Sequence, residues 1–512
     1  MKKIMAMLMA AVMMTTAVGC SRNGGDSSDA QAEAVQGETA QGDPEEITVR
    51  FMCFGTVPTD LAIVEEAINE LTIPAINVKV NYEAISASNY SQQIALDMTS
   101  GEELDVFYGS TYTSMVSSNQ LMDLSPYLEA YGQEITAALG EDWLKATSVG
   151  DSIYAIPVLN GKASSLQIAM RTDILEKYGL TTDFEMNEDI TDEGMIATIE
   201  EITDILEVVK ENEPEMIVMH PAAGVGTLGL ESMINYDSLT DGLGVLMGND
   251  GWTVENLYET DEFYQALQIA RDWYEAGYIK ADAATDTESY TSYAQAGRLF
   301  SFFQISEEGA DTSLKASTGY DYTCVKIKTP LITSTSLSNM FWGVSSTSEK
   351  PEASVKFLNM AYSDKDLANL LCYGVEGTHW QYTEEGTVAY ADGLDASTSG
   401  YPFTTYWEMP SHLIADPLEG NPIDYNERLL NNNKTAKVSR AIGFAFDQDP
   451  VKTEVSAVSA VLSEYGGGLL TGSLDLESNY PTFIQKLKDA GIDTIIAEKQ
   501  SQLDTWREEN GV

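Results

Sequence analysis

Histidine, a common metal ligand and catalytic base, is scarce in this sequence. The chain has three histidines, at positions 220, 379 and 412, and none stands in the H-E-x-x-H spacing of a zinc protease. No G-x-S-x-G motif occurs, so the nucleophile elbow of serine hydrolases is missing as well. These absences argue against a metallohydrolase and against a catalytic triad, and we predict no catalytic residue.

Cysteine is equally rare, with four residues and no Cys-x-x-Cys pair. Besides Cys20, the thiols of Cys53, Cys324 and Cys372 are far apart in the chain and stand among apolar neighbours. An odd number at such spacing argues against a disulfide framework and against a tetrahedral zinc site. We therefore expect buried core thiols, and we expect neither a metal nor a cofactor.

Basic residues are few, because 28 Lys and Arg stand against 80 Asp and Glu, which gives a formal net charge of −52. A nucleic-acid backbone is bound by Lys and Arg clustered on one face, and this composition cannot easily supply such a face. We therefore predict no nucleic-acid partner. The acidity suits the solubility of an exported surface protein.

A long apolar run occurs once, at residues 4–18, directly after Lys2 and Lys3. The run ends in Ala-Val-Gly-Cys at residues 17–20, which resembles a bacterial lipobox. This arrangement is typical of a lipoprotein signal peptide. We predict that residues 1–19 are removed and that Cys20 becomes the lipid-modified N-terminus. An ordinary signal peptide with a coincidental cysteine is the alternative.

Residues 20–46 consist largely of Ser, Gly, Asp, Gln, Glu and Ala. Such a segment cannot bury enough apolar surface to offset the entropy of ordering it, so we predict a flexible tether. Since no second long apolar run follows, the protein would be held at the membrane through its lipid. This predicts a lipid-anchored location at the cell surface or on the periplasmic side of the bacterial plasma membrane.

The rest of the chain is too long for one hydrophobic core, so we expect at least two lobes. Residues 47–54 have the pattern of a strand, residues 61–71 repeat apolar side chains at helical spacing, and residues 78–82 alternate again. This β-α-β alternation predicts an α/β fold with a mostly parallel, doubly wound sheet. Ligands of such sheets lie beyond the carboxyl ends of the strands, which directs attention to residues 54–56 and 109–112.

Several short sequence blocks follow one another in a characteristic order. They are GEELDV (101–106), LMDLSPY (121–127), IYAIP (153–157), RTDILEKYGL (171–180), WYEAGYI (273–279), AGR (296–298), the segment 341–351, LLCYGVEGTHW (370–380), and the closing stretches 444–447 and 498–504. Together they resemble the family 1 extracellular solute-binding proteins of ABC importers. The last three blocks are similar to a lipoprotein subgroup of that family with a C-terminal domain of unknown function.

The resemblance implies a type II periplasmic-binding-protein fold, in which two doubly wound α/β lobes are joined by a hinge and followed by a helical C-terminal extension. We predict an N-terminal lobe of residues 47–158 and 343–400. The C-terminal lobe would contain residues 159–342 and 401–512, including the helical C-terminal segment. The chain would cross between the lobes near residues 157–162, 340–343 and 400–407.

The resemblance also implies that the protein captures a small solute by lobe closure and passes it to the permease subunits of an ABC transporter, without acting as an enzyme. An oligosaccharide is favoured and a peptide is possible, because 7 Trp and 26 Tyr suit the apolar faces of sugar rings. The predicted ligand-binding residues are the aromatics Tyr108, Tyr112, Trp342, Trp380, Tyr406 and Trp407 and the polar residues Glu83, Asn89, Asn160, Glu376 and His379. The alternative is that the aromatics pack the lobes and that the polar side chains cap helices or face solvent.

Other classes of function fit the sequence less well. A surface glycoside hydrolase needs two carboxylates beside a sugar, but the chain after Gly161 lacks the eight repeated strand-helix units of a (β/α)₈ barrel. A structural adhesin is compatible with the composition and predicts no tightly bound small ligand. Residues 224–229 match G-x-G-x-x-G, but residues 220–223 separate these glycines from the preceding apolar run, which disfavours a dinucleotide site.

Overall fold

A computed structural model describes residues 42–53, 57–101, 103–220, 228–286, 288 and 290–512, with the backbone alone at 316 and 317. The predicted signal peptide, Cys20 and the predicted tether up to residue 41 lie outside the described residues. So do the strand exit at 54–56 and most of the G-x-G-x-x-G segment. The last two residues of the predicted tether, Glu45 and Glu46, belong to the first strand. Within the described parts, no helix combines the length and the apolar character that spanning a bilayer requires.

The strands are distributed over the described chain from residue 45 to residue 438. They are β1 (Glu45–Cys53), β2 (Val78–Ser86), β3 (Val106–Gly109), β4 (Ser148–Val149), β5 (Ser152–Ile153), β6 (Ile156–Pro157), β7 (Ser165–Arg171), β8 (Ile217–Met219), β9 (Tyr236–Asp237), β10 (Leu246–Met247), β11 (Leu299–Ser306), β12 (Tyr322–Lys328), β13 (Leu331–Ile332), β14 (Phe341–Val344), β15 (Trp380–Tyr382), β16 (Val388–Tyr390) and β17 (Lys437–Val438).

The helices alternate with these strands and then continue alone to the end of the chain. They are α1 (Leu61–Ile76), α2 (Ala87–Ser100), α3 (Tyr112–Ser117), α4 (Ser125–Tyr131), α5 (Gln133–Lys145), α6 (Thr172–Tyr178), α7 (Glu193–Asn212), α8 (Asp261–Glu275), α9 (Tyr290–Gln295), α10 (Ala310–Thr318), α11 (Ser334–Ser338), α12 (Pro351–Ala361), α13 (Lys365–Tyr373), α14 (Tyr425–Thr435), α15 (Lys452–Leu470), α16 (Leu476–Asp489) and α17 (Ile492–Asn510). Short 3₁₀ helices lie at Leu230–Met233, Leu257–Glu259, Ala283–Thr285, Tyr406–Glu408, His412–Ile414 and Asp449–Val451.

The first lobe is built on a five-stranded sheet with the order β2-β1-β3-β14-β6. β1 is parallel to β2 and to β3, so the predicted β-α-β unit is confirmed. β14 runs antiparallel to β3 and to β6, and it places Phe341 opposite Gly109 and Pro157. The carboxyl ends of β1, β2, β3 and β6 and the amino end of β14 therefore share one edge of this sheet.

The second lobe contains a four-stranded sheet with the order β12-β7-β11-β8. β7 is antiparallel to both of its neighbours, and β8 is parallel to β11. Successive side chains of a strand point to opposite faces. Phe303 accordingly joins one hydrophobic cluster, whereas Phe302 packs with Leu314 and Tyr322 in a smaller cluster on the other face.

Two large hydrophobic cores, one in each lobe, hold the fold together. The first surrounds the five-stranded sheet and includes α1, α12 and α13. The second includes β7, β8, α7 and α8, and it is completed by the C-terminal helices α15, α16 and α17. The predicted fold class of two α/β lobes with a helical C-terminal extension is confirmed.

The packing also shows which lobe each chain segment joins. Leu159 belongs to the first core and Leu166 to the second. The first crossing near 157–162 stays a prediction. The predicted return to the second lobe at residue 401 stays a prediction, but the first core still contains Met409 and Leu429, and the second core begins again at Ala441. We therefore propose a third crossing at residues 433–441.

We place the second crossing at residues 328–332, ahead of the predicted 340–343, because Ile327 belongs to the second core and Ile332 to the first. It runs beside the third crossing. β13 pairs in parallel with β17, Leu331 opposite Lys437 and Ile332 opposite Val438. The backbone N–H of Ser439 also donates to the carbonyl of Ile332 at 2.7 Å. Because Ile332 already belongs to the first core, this two-stranded ribbon marks the passage from one lobe to the other.

Candidate functional site

The junction between the lobes is where polar side chains from distant parts of the chain meet. Asn433, in the last turn of α14, accepts hydrogen bonds from the backbone N–H groups of Lys162 at 2.8 Å and Ala163 at 3.0 Å. Its amide donates to the carbonyl of Asn160 at 2.8 Å. One buried side chain therefore holds the first crossing against the third.

A buried lysine and a half-buried glutamate lie on the two sides of this junction. Burial lowers the pKa of Lys162 to about 7, and burial raises the pKa of Glu307, just after β11, to about 7. The attraction between the two charges acts against both shifts. A Cβ at Gly161 would overlap the Glu307 carboxylate, so glycine permits this carboxylate to approach the backbone of the crossing. Nearby, burial lowers the pKa of His412 to about 3, and the charge of Lys162 lowers it further.

Glu408 is a carboxyl group with no hydrogen-bond partner and no solvent exposure. Burial raises its pKa to about 8, so it is largely protonated at neutral pH. Its backbone carbonyl accepts a hydrogen bond from the indole N–H of Trp342 at 2.8 Å. Glu408 also contributes to raising the pKa of the Tyr90 and Tyr108 hydroxyls, which places it beside the carboxyl end of β3.

Four of the predicted aromatic residues lie inside the first core. Trp342 and Trp380 are 1% and 4% exposed, and the indole N–H of Trp380 donates to the carbonyl of Gly374. Tyr108 meets Trp342 edge to face, and Tyr112 meets Phe341 in the same way. Their predicted contact with a ligand stays a prediction, and their burial leaves little ring surface for one.

Tyr406 and Trp407 are the two predicted aromatics that the structure leaves half-buried. They form a 3₁₀ turn with Glu408, and the Tyr406 ring meets His412 edge to face. The side-chain amide of Asn160 donates to the carbonyl of Trp407 at 3.4 Å, and its oxygen is buried without a partner. The structure thus brings these three predicted residues together at the junction.

Glu83 lies inside a strand, because β2 continues to Ser86. Glu83 accepts from Arg50 at 2.6 Å, and Arg50 also contacts the buried carboxylate of Asp97. Asn89 is exposed in the first turn of α2. Ligand contact by either residue stays a prediction.

The two candidates in the block 370–380 lie close in sequence but differ in exposure. Glu376 is exposed, whereas His379 is 1% exposed. The Nδ1 atom of His379 accepts from the Val375 N–H at 2.9 Å, and its Nε2 lies 3.3 Å from a carboxylate oxygen of Asp60. These contacts fasten the loop to the start of α1. A ligand role for Glu376 and His379 stays a prediction.

A cavity of about 230 Å³ lies between the two lobes. It is lined by Ser110, Thr111, Tyr112, Thr113, Ser114, Ala146, Thr240, Ser334, Thr335, Ser338, Asn339, Phe444 and Ala445. Among these lining residues, Tyr112 is a predicted site residue.

Lys162, Glu307 and Glu408 at the junction were not predicted from the sequence. For Glu408, the sequence signal that could have found it is its position directly after the two aromatics 406 and 407.

Nothing in the described part of the chain is arranged for metal chemistry. No group of three or more His, Cys, Asp or Glu side chains there is placed to hold a metal ion. The three cysteines that the structure describes are free, and Cys53 and Cys372 are buried as expected, while Cys324 is partly exposed. What the junction offers is hydrogen-bonding groups beside half-buried rings, an arrangement that can bind a ligand.

Comparison with known proteins identifies the family to which the chain is similar. Residues 61–368 match the model of the family described as bacterial extracellular solute-binding protein, and residues 440–508 match a domain of unknown function, DUF3502. A carbohydrate ABC transporter substrate-binding protein from Streptococcus pneumoniae serotype 4 is 26% identical over 469 residues, covering 90% of each chain.

Solved structures are similar over nearly the whole chain. An N-glycan transport solute binding protein from Streptococcus pneumoniae is 23% identical with a TM-score of 0.78, covering 91% of this chain and 99% of the other. An extracellular solute-binding protein from Bifidobacterium longum subsp. infantis is 16% identical with a TM-score of 0.59, covering 92% of this chain and 100% of the other. These likenesses show the fold. Because the family model matches more than half of the residues, the chain belongs to the bacterial extracellular solute-binding proteins.

Proposed function

We propose that this protein captures an oligosaccharide outside the cell and delivers it to the membrane permease of an ABC importer. The observation that carries the proposal is the division into two lobes, each with its own core, which are joined by crossings with a polar junction. The carbohydrate class is supported by the relative described as a carbohydrate ABC transporter protein. Solved structures of a similar protein hold the glycans Man1GlcNAc and Man5GlcNAc.

Lobe closure supplies the mechanism. A ligand that contacts both lobes stabilises the closed arrangement by the difference between its affinities for the closed and open states. The crossings can carry this motion without unfolding either core, since each lobe buries its own apolar side chains. The permease would then recognise the closed arrangement, and the solute would leave chemically unchanged.

Sugar recognition needs an exposed ring face together with hydrogen-bonding groups. Trp407 and Tyr406 provide ring surface at the junction, and the partnerless oxygen of Asn160 provides an acceptor beside them. We rank these three residues above Tyr108, Trp342 and Trp380, whose rings are almost fully buried. The other predicted residues, Tyr112, Glu83, Asn89, Glu376 and His379, would make secondary contacts with the ligand.

The membrane attachment is part of the same proposal. A lipid on Cys20, after removal of residues 1–19, would hold the protein on the outer face of the plasma membrane through a flexible tether. The extracellular location agrees with the description of the family. Mass spectrometry of the mature N-terminus tests the lipid directly, and an unmodified Cys20 would contradict it.

Isothermal titration calorimetry on the purified full chain tests the proposed function. We expect saturable binding of Man1GlcNAc or Man5GlcNAc, no binding of a peptide of matched length, and a negative heat-capacity change from apolar burial. Trp407→Ala should weaken glycan binding by about tenfold or more. Tyr465→Ala, which removes a half-buried ring of α15 that contacts Phe483 and Lys486 in the second lobe, serves as the control and should bind like the wild type.

Three outcomes would contradict the proposal. Binding of the peptide instead of the glycans would assign a different solute. Release of new reducing ends from the glycans would reveal a hydrolase. If neither glycan produced binding heat, the expectation that the solute resembles these two glycans would be contradicted.

A further inference from the structure

We propose that the C-terminal domain fixes one end of the hinge and thereby sets how readily the two lobes close. The domain of residues 440–508 is described as of unknown function. Its last helix, α17, holds the loop of residues 248–254, which we call the bracing loop, and this loop in turn holds the third crossing at residues 433–441. The inference deepens the proposed function, and it rests on that function wherever solute binding is the measured quantity.

Asn249 of the bracing loop holds the backbone of the third crossing. Its side-chain amide donates to the carbonyl of Val438 at 3.1 Å, and its side-chain oxygen accepts from the N–H of Arg440 at 3.1 Å. One side chain thus bonds a carbonyl and an N–H two residues apart, as the backbone of a neighbouring parallel strand would. Between them, the N–H of Ser439 donates to the carbonyl of Ile332. The crossing is therefore held by the second crossing and by the bracing loop.

The side chain of Arg440 adds a second attachment between the crossing and the bracing loop. Its guanidinium donates to the carbonyl of Asp250 at 2.8 Å and lies 5.3 Å from the centre of the Trp252 ring. The guanidinium of Arg507, which belongs to α17, lies 4.4 Å from the centre of the same ring. Cations are attracted to the faces of aromatic rings. Trp252 therefore joins the third crossing to the C-terminal helix.

Helix α17 holds the backbone of the bracing loop through two neighbouring side chains. The side-chain oxygen of Gln500 accepts from the N–H of Val254 at 2.7 Å, and its amide donates to the carbonyl of Trp252 at 3.0 Å. The buried amine of Lys499 donates to the carbonyl of Gly244 at 2.9 Å, shortly before the loop begins. Because the described residues 251–254 belong to no helix or strand, these contacts determine where the loop lies.

These contacts determine which part of the third crossing can bend. Asn433 is hydrogen-bonded to the first crossing, whereas Val438 and Arg440 are hydrogen-bonded to the bracing loop of the second lobe. A hinge absorbs its change of conformation at a few residues between two rigid bodies. Bending is thereby confined to residues 434–437, between the two attachments.

A short hinge affects solute affinity through the populations of the open and closed states. If the bracing loop released the crossing, more of its residues could change conformation, and the open state would gain more conformations than the closed state. Fewer molecules would then be closed at any time. Because the apparent affinity falls with the fraction of binding-competent protein, loss of the brace should weaken solute binding without any change in the residues that contact the solute.

Hydrogen–deuterium exchange of the purified full chain without solute, followed by mass spectrometry on peptides covering residues 433–441, tests the brace. Gln500→Leu removes both hydrogen bonds to the bracing loop, and Asn249→Asp removes the donor to the carbonyl of Val438. Exchange of these peptides should become about threefold to tenfold faster in both variants, since local opening no longer breaks the lost bonds. Gln502→Leu is the matched control and should exchange like the wild type, because Gln502 makes the same pair of contacts with the backbone of Asp447.

Calorimetry with Man5GlcNAc then separates a role in lobe closure from a merely structural one. Gln500→Leu should bind the glycan about threefold or more weakly, whereas Gln502→Leu should bind like the wild type. Gln500→Glu keeps the acceptor for the N–H of Val254 and should recover part of the lost affinity. A merely structural role would lower the melting temperature and leave the affinity of the folded protein unchanged.

The possible results separate this inference from the proposed function. Exchange at residues 433–441 that stays within twofold of the wild type in both Gln500→Leu and Asn249→Asp would overturn the brace. Faster exchange with unchanged glycan affinity would overturn its role in lobe closure. If the wild type bound no glycan, the proposed function would fail, while the exchange data would still decide whether α17 braces the crossing. If Gln500→Leu did not fold, Asn249→Asp and Gln500→Glu would provide both comparisons.

Discussion

Replacing Glu408 by glutamine should make the stability of the protein less dependent on pH, because this carboxyl group titrates abnormally. Glu408 is fully buried and neither of its oxygens has a hydrogen-bond partner. Burial raises its pKa from 4.5 to about 8. Between these two values the folded protein holds a proton that the unfolded chain has released, so unfolding becomes easier as the pH rises.

The magnitude follows from the size of the shift. One pKa unit corresponds to about 1.4 kcal/mol, so ionisation of Glu408 costs the folded state about 5 kcal/mol once the pH exceeds 8. Below pH 4.5 the carboxyl is neutral in both states and the cost disappears. Between pH 5 and pH 8, the free energy of unfolding of Glu408→Gln relative to the wild type should therefore rise by roughly 3 to 4 kcal/mol.

Urea unfolding of the two proteins at pH 5, 6, 7 and 8, without ligand, measures this difference. Lys162, Glu307 and His412 also have shifted pKa values, but they are present in both proteins and largely cancel in the comparison. A difference that stays constant from pH 5 to pH 8 would refute the reasoning. It would mean that Glu408 is hydrated or ionised in the folded protein.

Two further substitutions test the packing inside each lobe. Lys499→Met should lower the free energy of unfolding by about 3 kcal/mol or more, since the amine of Lys499 is fully buried and contacts Asp241 at 2.5 Å. Removing the exposed amine with Lys488→Met is the control, and equal urea midpoints for the two variants would contradict the prediction. Gly109→Ala should cost about 1 to 3 kcal/mol in the same assay, because a Cβ there would overlap the buried ring of Phe341. A wild-type midpoint for Gly109→Ala would show that the ring can move aside.

The buried polar groups at the junction have a common physical origin. Lys162 comes from the first crossing, Glu307 from the end of β11 and His412 from the segment before α14, and burial shifts the pKa of each toward its neutral form. Desolvation is costly for a charge without a close partner. We infer that the junction is stabilised by neutral hydrogen-bonding groups such as Asn433 rather than by ion pairs, which suits a hinge in a strongly acidic protein.

The sequence by itself determined the class of the fold and the order of its first elements. The β-α-β pattern of residues 47–82 follows from local periodicity, since the spacing of apolar side chains depends on the backbone geometry of each element. The family resemblance extended this to two lobes and a helical C-terminus, which α15, α16 and α17 confirm. No local pattern indicates where the chain returns to the second lobe, whereas in the structure Tyr401, Met409 and Leu429 still pack on the first core.

Tertiary structure alone decided which side chains meet at the junction. Trp342 and Glu408 are joined by a hydrogen bond across 66 residues, and Asn160 and Asn433 across 273. Periodicity shows which residues face a core, but it carries no information about which distant segment covers them. For the same reason, the sequence predicts Trp342 as a ligand-binding residue but cannot show that the fold buries its ring and that its indole N–H donates to the carbonyl of Glu408. The environment that raises the pKa of Glu408 exists only after strands and crossings more than 300 residues apart have packed together.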